Sequence, residues 1–477
     1  MPDSNAGESR PVLAFLTSHW LSTLGSALVT IAGCSWLFLV VLHAGGRTPN
    51  PYVGILIVFA IPAIFFAGLI LIPIGSWLAR RRIQAGLAQA PSRTAALRSL
   101  AFFFVTMTVV NVVIASQVTY RAVTHMESDQ FCGQSCHVMK PQFMANRRSV
   151  HRNVACVECH IVPGAAGFLE AKMNGTRQLF EVTFNDYPRP VPSGLQSIHL
   201  ASSTETCEEC HSRAVDLGSP LRVISKFKDD EANTPIQTVL VMNVGGGRSG
   251  GIHGAHLGPG VQIRYRADST RQTISSVEYS NAGTHETRTY AVSGAAVSGA
   301  KGSGAQEFLM QCADCHNRQG HGFEQPGDAV DGAIAAGQIP IGLPFARKTA
   351  IEILKASASN DSGIPAAFTA FYQQKYPDIA AKRADDIGNA GKTLQSLYDR
   401  NVFPDLGVKW GAYPNNLGHT DNAGCFRCHD ENHATPQKKT ISQDCSLCHN
   451  PLAVEETSPA IMKSLGLDQK ISQLLKQ

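Results

Sequence analysis

Twelve of the thirteen cysteines in this 477-residue chain fall into six close pairs, and a histidine follows each pair at once. Five pairs have two intervening residues: Cys156/Cys159 with His160, Cys207/Cys210 with His211, Cys312/Cys315 with His316, Cys425/Cys428 with His429, and Cys445/Cys448 with His449. The first pair, in FCGQSCHVM, has three: Cys132 and Cys136 precede His137, and Met139 follows two places later. C-x-x-C-H spacing attaches a c-type haem, because the thiols add to the two vinyl groups while the adjacent imidazole reaches the iron from the same side. A zinc ribbon would share two pairs per ion and need no histidine after each. A thioredoxin-like pair would occur once, and a disulfide framework belongs in a shorter chain. With histidine at only 17 of 477 positions, the regularity points to six covalently attached haem c groups.

Such attachment takes place on the outer, oxidising side of a bacterial inner membrane, so the haem region must be exported. Three uncharged stretches supply the means, with spans expected at about Leu21 to Leu42, Val53 to Leu78 and Leu100 to Tyr120. Each is too long for a signal-peptide core and none precedes a convincing cleavage site. The loop between the second and third spans holds Arg80, Arg81, Arg82, Arg93 and Arg98, against Arg47 alone in the first loop. The positive-inside rule therefore places that loop and the N-terminus in the cytoplasm and sends everything after Tyr120 to the periplasm, where the haems must be. His19 and His43 sit near opposite ends of one span, about 36 Å apart as a helix, and cannot share an iron. Cys34 in mid-span reads as a small buried apolar residue. The formal charge of +4 points to no nucleic acid.

Cys132 lies twelve residues after Tyr120, which holds the first haem near the membrane surface. A donor dissolved in the bilayer, a quinol such as menaquinol, is then within reach. Its oxidation releases protons, for which Glu127, Asp129, Glu170 and Glu181 are the acidic candidates, each also readable as a solvated surface charge.

The stretch from Phe131 to His211, carrying FCGQSCHVM, SVHRNVACVECH and EAKMNGTRQLFE, resembles the NapC/NirT family of membrane-anchored multihaem quinol dehydrogenases. The resemblance implies that the first haem lies beside the quinol and that the methionine, Met139 here, can replace the motif histidine on the iron. It further implies that His151 is the distal ligand of another haem and that Lys172 lies near the quinol. The acid that some members place beside the first haem is Gln178 here. The extra residue shifts His137 relative to the thioether bonds, which favours Met139 as ligand and a raised potential; the alternative has His137 bind while Met139 packs on the porphyrin.

Beyond His211 the compact family pattern stops. GIHGAHLGPGVQIRY, CADCHNRQGHGF, LYDRNVFPDLGV and YPNNLGHTDNAGCFRCHDENH resemble the larger inner-membrane cytochromes of the superfamily that pass electrons outward. The expected organisation is a three-helix membrane anchor over 1–120, a haem module over 121–212 (haems one to three), a β-rich insertion with a Gly/Ser linker over 213–311, and a C-terminal haem module over 312–477 (haems four to six). The fold class is thus a membrane-anchored multihaem cytochrome c: three transmembrane helices, then a mainly helical, haem-packed periplasmic region with a small antiparallel β insertion. QTVLVMNV, VQIRYRAD, TISSVEYS and ETRTYAV read as strands, RKTAIEILKA and GKTLQSLYDR as helices, and the last twenty residues as an amphipathic helix. Six low-spin irons need second axial ligands, for which His151, His199, His253, His256, His321, His419 and His433 are candidates, His125 and His285 less so. The leading function is quinol oxidation with electrons passed through six haems to a periplasmic cytochrome or reductase, alone, as a homo-oligomer or within a respiratory complex. The alternatives are a terminal reductase of a small oxyanion and a relay subunit without its own quinol site.

Overall fold

The computed structural model describes residues 16–17, 19–44, 60–87, 92–162, 164–192, 202–246, 250–292, 305–357 and 363–467. It divides into two compact units, Met1–Cys136 and His137–Gln477, with the division inside the first cysteine motif.

The first unit is built on α1 (Trp20–Ala44), α2 (Ile61–Gln84) and α3 (Arg93–Met126). By length and apolar composition α2 and α3 are able to cross a bilayer. α1 is 25 residues long, with residues 37–44 described in backbone only. Small residues let α1 and α2 approach closely: a Cβ at Gly25 would come within 2.6 Å of the Gly68 carbonyl oxygen, and one at Gly68 within 2.7 Å of the Gly25 carbonyl oxygen. Next to this crossing Ser22 donates its hydroxyl to the Ile72 carbonyl at 2.9 Å. Ser92 caps α3, accepting from Ala95 N at 3.2 Å. The helix runs past the expected span at both ends, from Arg93 to Met126.

The second unit begins with α4 (Lys140–Asn146) and α5 (Ala165–Thr183), then alternates strands and short helices: β1 (Leu221–Phe227), β2 (Pro235–Met242), α6 (Gly251–Leu257), β3 (Val261–Ala267), β4 (Ile274–Asn281), β5 (Glu286–Val292) and β6 (Gln306–Leu309). The four expected strands are β2 to β5. β1, in LRVISKF, lacks clean alternation of polar and apolar residues and was not anticipated. In β3 the inward positions Ile263, Tyr265 and Ala267 are buried with the period of two that a half-covered strand requires. Two further strands come from far down the chain, β7 (His433–Ala434) and β8 (His449–Glu456). All pairings are antiparallel, giving a three-stranded sheet β1-β2-β8 and a five-stranded sheet β6-β3-β4-β5-β7. Both sheets thus join the 213–311 segment to strands that border C-terminal haem motifs. The linker stretch over 293–304 and the end of the chain after 467 lie outside the described residues.

Between the fourth and fifth motifs lie α7 (Pro326–Ala335), α8 (Ala346–Ala356), α9 (Ile364–Lys375) and α10 (Ala384–Asp399), packed around Phe368, Tyr372, Leu394, Leu397 and Tyr398. This core contains no cysteine motif, and Phe227 from β1 joins it. The β1–β2 turn is plugged into it by Asn233, which is fully buried and left-handed at φ 48°. Its amide donates to the Ile341 and Leu343 carbonyls at 2.8 and 2.7 Å and accepts from Arg347 N at 2.9 Å. The Arg347 guanidinium then grips Asp331 through two hydrogen bonds of 2.6 and 3.0 Å and reaches Asp229 at 2.7 Å.

Two outcomes follow. Gly68→Val forces α1 and α2 apart and lowers the detergent midpoint of unfolding of the anchor, measured by the loss of helical circular dichroism. Asn233→Ala removes a donor from the Ile341 and Leu343 carbonyls and the acceptor of Arg347 N, and lowers the stability of the haem-loaded protein by about 2–4 kcal/mol in denaturant titration.

Candidate functional site: paired imidazoles beside the cysteine motifs

Each motif forms a tight backbone turn. In the regular motifs the turn is closed by His211 N on the Cys207 carbonyl (2.8 Å), His316 N on the Cys312 carbonyl (2.9 Å) and His429 N on the Cys425 carbonyl (3.1 Å). CVECH is itself one helical turn, Cys156–His160. The first motif accommodates its extra residue as a π-turn over Phe131–Ser135, with Cys136 N bonded to the Phe131 carbonyl at 3.1 Å. Met139 ends the 3-10 turn that follows and caps α4. The ring of His137 and all of His199 lie outside the described residues.

The Cys210 side chain is exposed. The short helix Ser203–Glu208 carries Cys207 but stops before Cys210, and a turn follows with Cys210 N on the Cys207 carbonyl at 3.2 Å. The Cys159, Cys425 and Cys445 side chains are exposed as well. Thiols at the surface are open to a vinyl group, so the exposure is compatible with haem attachment.

Every regular motif histidine faces one imidazole from elsewhere in the chain. His151 stands opposite His211 with ring centroids 6.0 Å apart, His321 opposite His160 at 5.9 Å, His253 opposite His316 at 6.1 Å, His256 opposite His429 at 6.0 Å, and His419 opposite His449 at 6.1 Å. Bare imidazoles in van der Waals contact have no reason to repeat one separation five times. A metal–imidazole bond is about 2.0 Å and the ring centroid lies about 1.1 Å further, so two rings on opposite sides of one iron stand about 6 Å apart. The donor set and the gap both fit haem iron.

The outward ring nitrogens are oriented to match. His151 Nδ1 bonds to the Gln319 carbonyl (3.4 Å), His321 Nδ1 to the Gln142 carbonyl (3.0 Å), His256 Nδ1 to the Ile252 carbonyl (2.7 Å) and His429 Nδ1 to the Ser442 carbonyl (2.7 Å). A carbonyl only accepts, so Nδ1 carries the hydrogen and Nε2 keeps its lone pair for a metal. Burial pushes His321 down to about 4, and burial likewise lowers His256 and His316, which keeps these rings in the neutral, ligating form.

His433 does not fit its expected role as an iron ligand. It is buried, its Nδ1 bonds to Asp430 Oδ1 at 2.8 Å and its Nε2 to the Ile274 carbonyl at 3.1 Å, so neither nitrogen is left for a metal. Burial alone would raise the Asp430 carboxyl, but hydrogen bonds from the His433 ring and from the His433 and Asn432 backbone hold it below the usual range. His433 instead anchors β7 on β5, through the register Val292↔His433. The imidazole facing His429 is His256, which is remote in sequence. His125 packs edge-on against Phe131 at 5.6 Å, and His285 occupies the β4–β5 turn at φ 54°.

The residues that the resemblance placed near a quinol are on α5. Lys172 Nζ lies 4.8 Å over the Phe168 ring, Gln178 is exposed, and Glu181 pairs with Arg177 at 2.8 Å. The same helix presents Leu169, Met173, Leu179 and Phe180 to solvent, each about 60% exposed or more, and Phe180 stacks on the still more exposed Phe184. Glu170 is exposed on it, while Glu127 and Asp129 belong to the other unit, at the end of α3 and just beyond. Two features had no signal in the sequence: the backbone carbonyls that orient the histidines, and Phe426, which stacks on His419 at 4.3 Å and 17°. Replacing His433 with Gln leaves the low-spin haem spectrum unchanged and lowers stability by about 2 kcal/mol, which paired electron paramagnetic resonance and thermal unfolding will check.

Comparison with known proteins agrees with the motif chemistry. Residues 94–220 match the model of the NapC/NirT cytochrome c family, N-terminal region. Over 453 residues the chain is 33% identical to the cytochrome c-type protein ImcH of Geobacter sulfurreducens, an alignment that covers 90% of this chain and 87% of the relative. No solved structure matches. Cysteine motifs, paired imidazoles and apolar anchor helices converge with this similarity: the chain belongs to the NapC/NirT cytochrome c family and is a membrane-anchored multihaem cytochrome of electron transfer.

Proposed function

We propose that the chain is an inner-membrane quinol dehydrogenase that passes electrons from menaquinol through six covalently held haems to a periplasmic cytochrome or reductase. The observation that carries this reading is the set of five imidazole pairs. When bound, each haem would supply a one-electron Fe(III)/Fe(II) couple, and at the five paired sites the two histidines would leave no open position for a substrate. Five such sites suit conduction rather than reduction of an oxyanion, which weighs against the terminal-reductase reading.

In this reading Cys156/Cys159, Cys207/Cys210, Cys312/Cys315, Cys425/Cys428 and Cys445/Cys448 hold five of the haems. His160 with His321, His211 with His151, His316 with His253, His429 with His256 and His449 with His419 bind their irons. Cys132 and Cys136 hold the first haem, with Met139 as its ligand. α1, α2 and α3 are the first, second and third spans, the arginine-rich loop after α2 is cytoplasmic, and the haem region is periplasmic. The quinol loses two electrons and two protons. Lys172 orients it through a hydrogen bond to its oxygen, the apolar side chains of α5 keep the approach dry, and Glu170 on the same helix takes up one proton while water takes the other, since Gln178 is unable to.

The test is anaerobic mixing of the detergent-solubilised holoprotein with a reduced menaquinone analogue, following the haem α-band against a dithionite endpoint. Rapid reduction of several haems is expected. Met139→Leu is expected to slow that reduction at least tenfold and to change the spectrum of one haem, with the dithionite endpoint intact. Reduction by dithionite alone would instead identify a relay subunit and overturn the proposal.

A further inference from the structure

One turn of helix carries two of the facing imidazoles. His253 and His256 are three residues apart on α6, yet they meet histidines of different motifs, His316 and His429. Residues at this spacing lie on neighbouring positions of a helix surface, with Cβ atoms about 5–6 Å apart. Two irons bound through them are fixed to one rigid peptide segment.

That segment is itself held to a third motif. Asn243 follows β2, and its backbone N donates to the Cys448 carbonyl at 2.8 Å while its carbonyl accepts from Ile252 N at 2.9 Å. His253 N donates to the Val244 carbonyl at 2.9 Å. Next to them, β2 and β8 place Met242 opposite His449. The approach requires glycine: Gly251 sits at φ 67°, and a Cβ there would come within 2.8 Å of the Gly245 backbone nitrogen. The fourth and fifth motifs are also joined directly, because Arg427 of CFRCH donates to the Asp314 carbonyl of CADCH at 2.7 Å.

We propose that α6 is a double clasp that ligates the fourth and fifth haems from one helical turn and locks them as an electronically coupled pair against the motif of the sixth. The 213–311 segment then has a definite role, because it supplies the distal ligands for the fourth and fifth haems, which their own motifs lack. An electron moving within the pair oxidises one ferrous iron and reduces its ferric neighbour, with no proton or bond exchanged, and charge on either iron shifts the potential of the other. This rests on the reading of the imidazole pairs as iron ligands, and not on quinol as donor.

Spectroscopy of the oxidised holoprotein tests it without any turnover. His253→Met and His256→Met are each expected to convert one low-spin bis-histidine haem to a higher-potential form while all six haems remain attached. In the double variant the two potential shifts are expected not to add, as required of neighbours that feel each other's charge. Ala255→Pro breaks the single turn and is expected to remove bis-histidine signals from two haems together. Additive shifts in the double variant, or loss of one haem signal only from Ala255→Pro, would overturn the clasp. If Ala255→Pro does not accumulate, the double variant decides alone. Single variants with unchanged spectra would instead refute the ligand assignment itself, and failure of the quinol assay would leave the clasp standing.

Discussion

The second unit is organised around five facing pairs of imidazoles, one ring of each pair belonging to a cysteine motif. A c-type motif supplies two covalent bonds and one ligand within five residues, and everything local ends there. The opposite ligand must come from another part of the chain, and it must arrive with its Nε2 free and its ring about 6 Å from the first. In all five regular sites a histidine outside the motif faces the motif histidine, and His151, His321 and His256 are steadied by a carbonyl on Nδ1. These pairs join segments that sequence order would separate: β2 ends beside the sixth motif, α6 reaches the fourth and fifth, and the stretch after His316 turns back so that His321 faces His160.

Polar burial keeps these crossings in register. Asn233 and Arg347 tie the β1–β2 turn to the haem-free helical core, and their hydrogen bonds are buried, so slippage would strand donors and acceptors in an apolar interior. Asp430 and His433 do the same for the short β7. The helical core from α7 to α10 adds the Arg347–Asp331 pair to its apolar packing and takes in Phe227 of β1.

Much of this was legible from the residues. The haem cysteines and proximal histidines are set by five-residue spacing, which is local chemistry, and β2 to β5 by alternation of side chains. Spacing does not set how deeply a thiol lies: Cys210 is exposed, two residues beyond the end of the helix that bears Cys207. Six of the seven principal distal candidates are within described residues, and five of those stand opposite a motif histidine. The pairing itself was not legible. His433, four residues beyond His429, was expected on an iron because of proximity in sequence, whereas the ring facing His429 is His256. Proximity failed because the backbone at Asp430 turns His433 inward to close a strand, and no local rule relates a glycine-rich helix at 251–257 to a motif at 425–429. β1 was missed because its burial depends on the helical core, which is more than a hundred residues away. The first site was read least well, since its extra residue becomes a π-turn, a feature of backbone winding rather than of residue type.

The His160–His321 contact bears on how such a protein is made and how it can have grown. A nascent chain that has emerged through the third motif contains three cysteine pairs but not the imidazole that faces His160, so that contact cannot form until the fourth motif has followed. For the same reason the outer portion is no detachable appendix: a chain cut after His211 would leave His160 without His321.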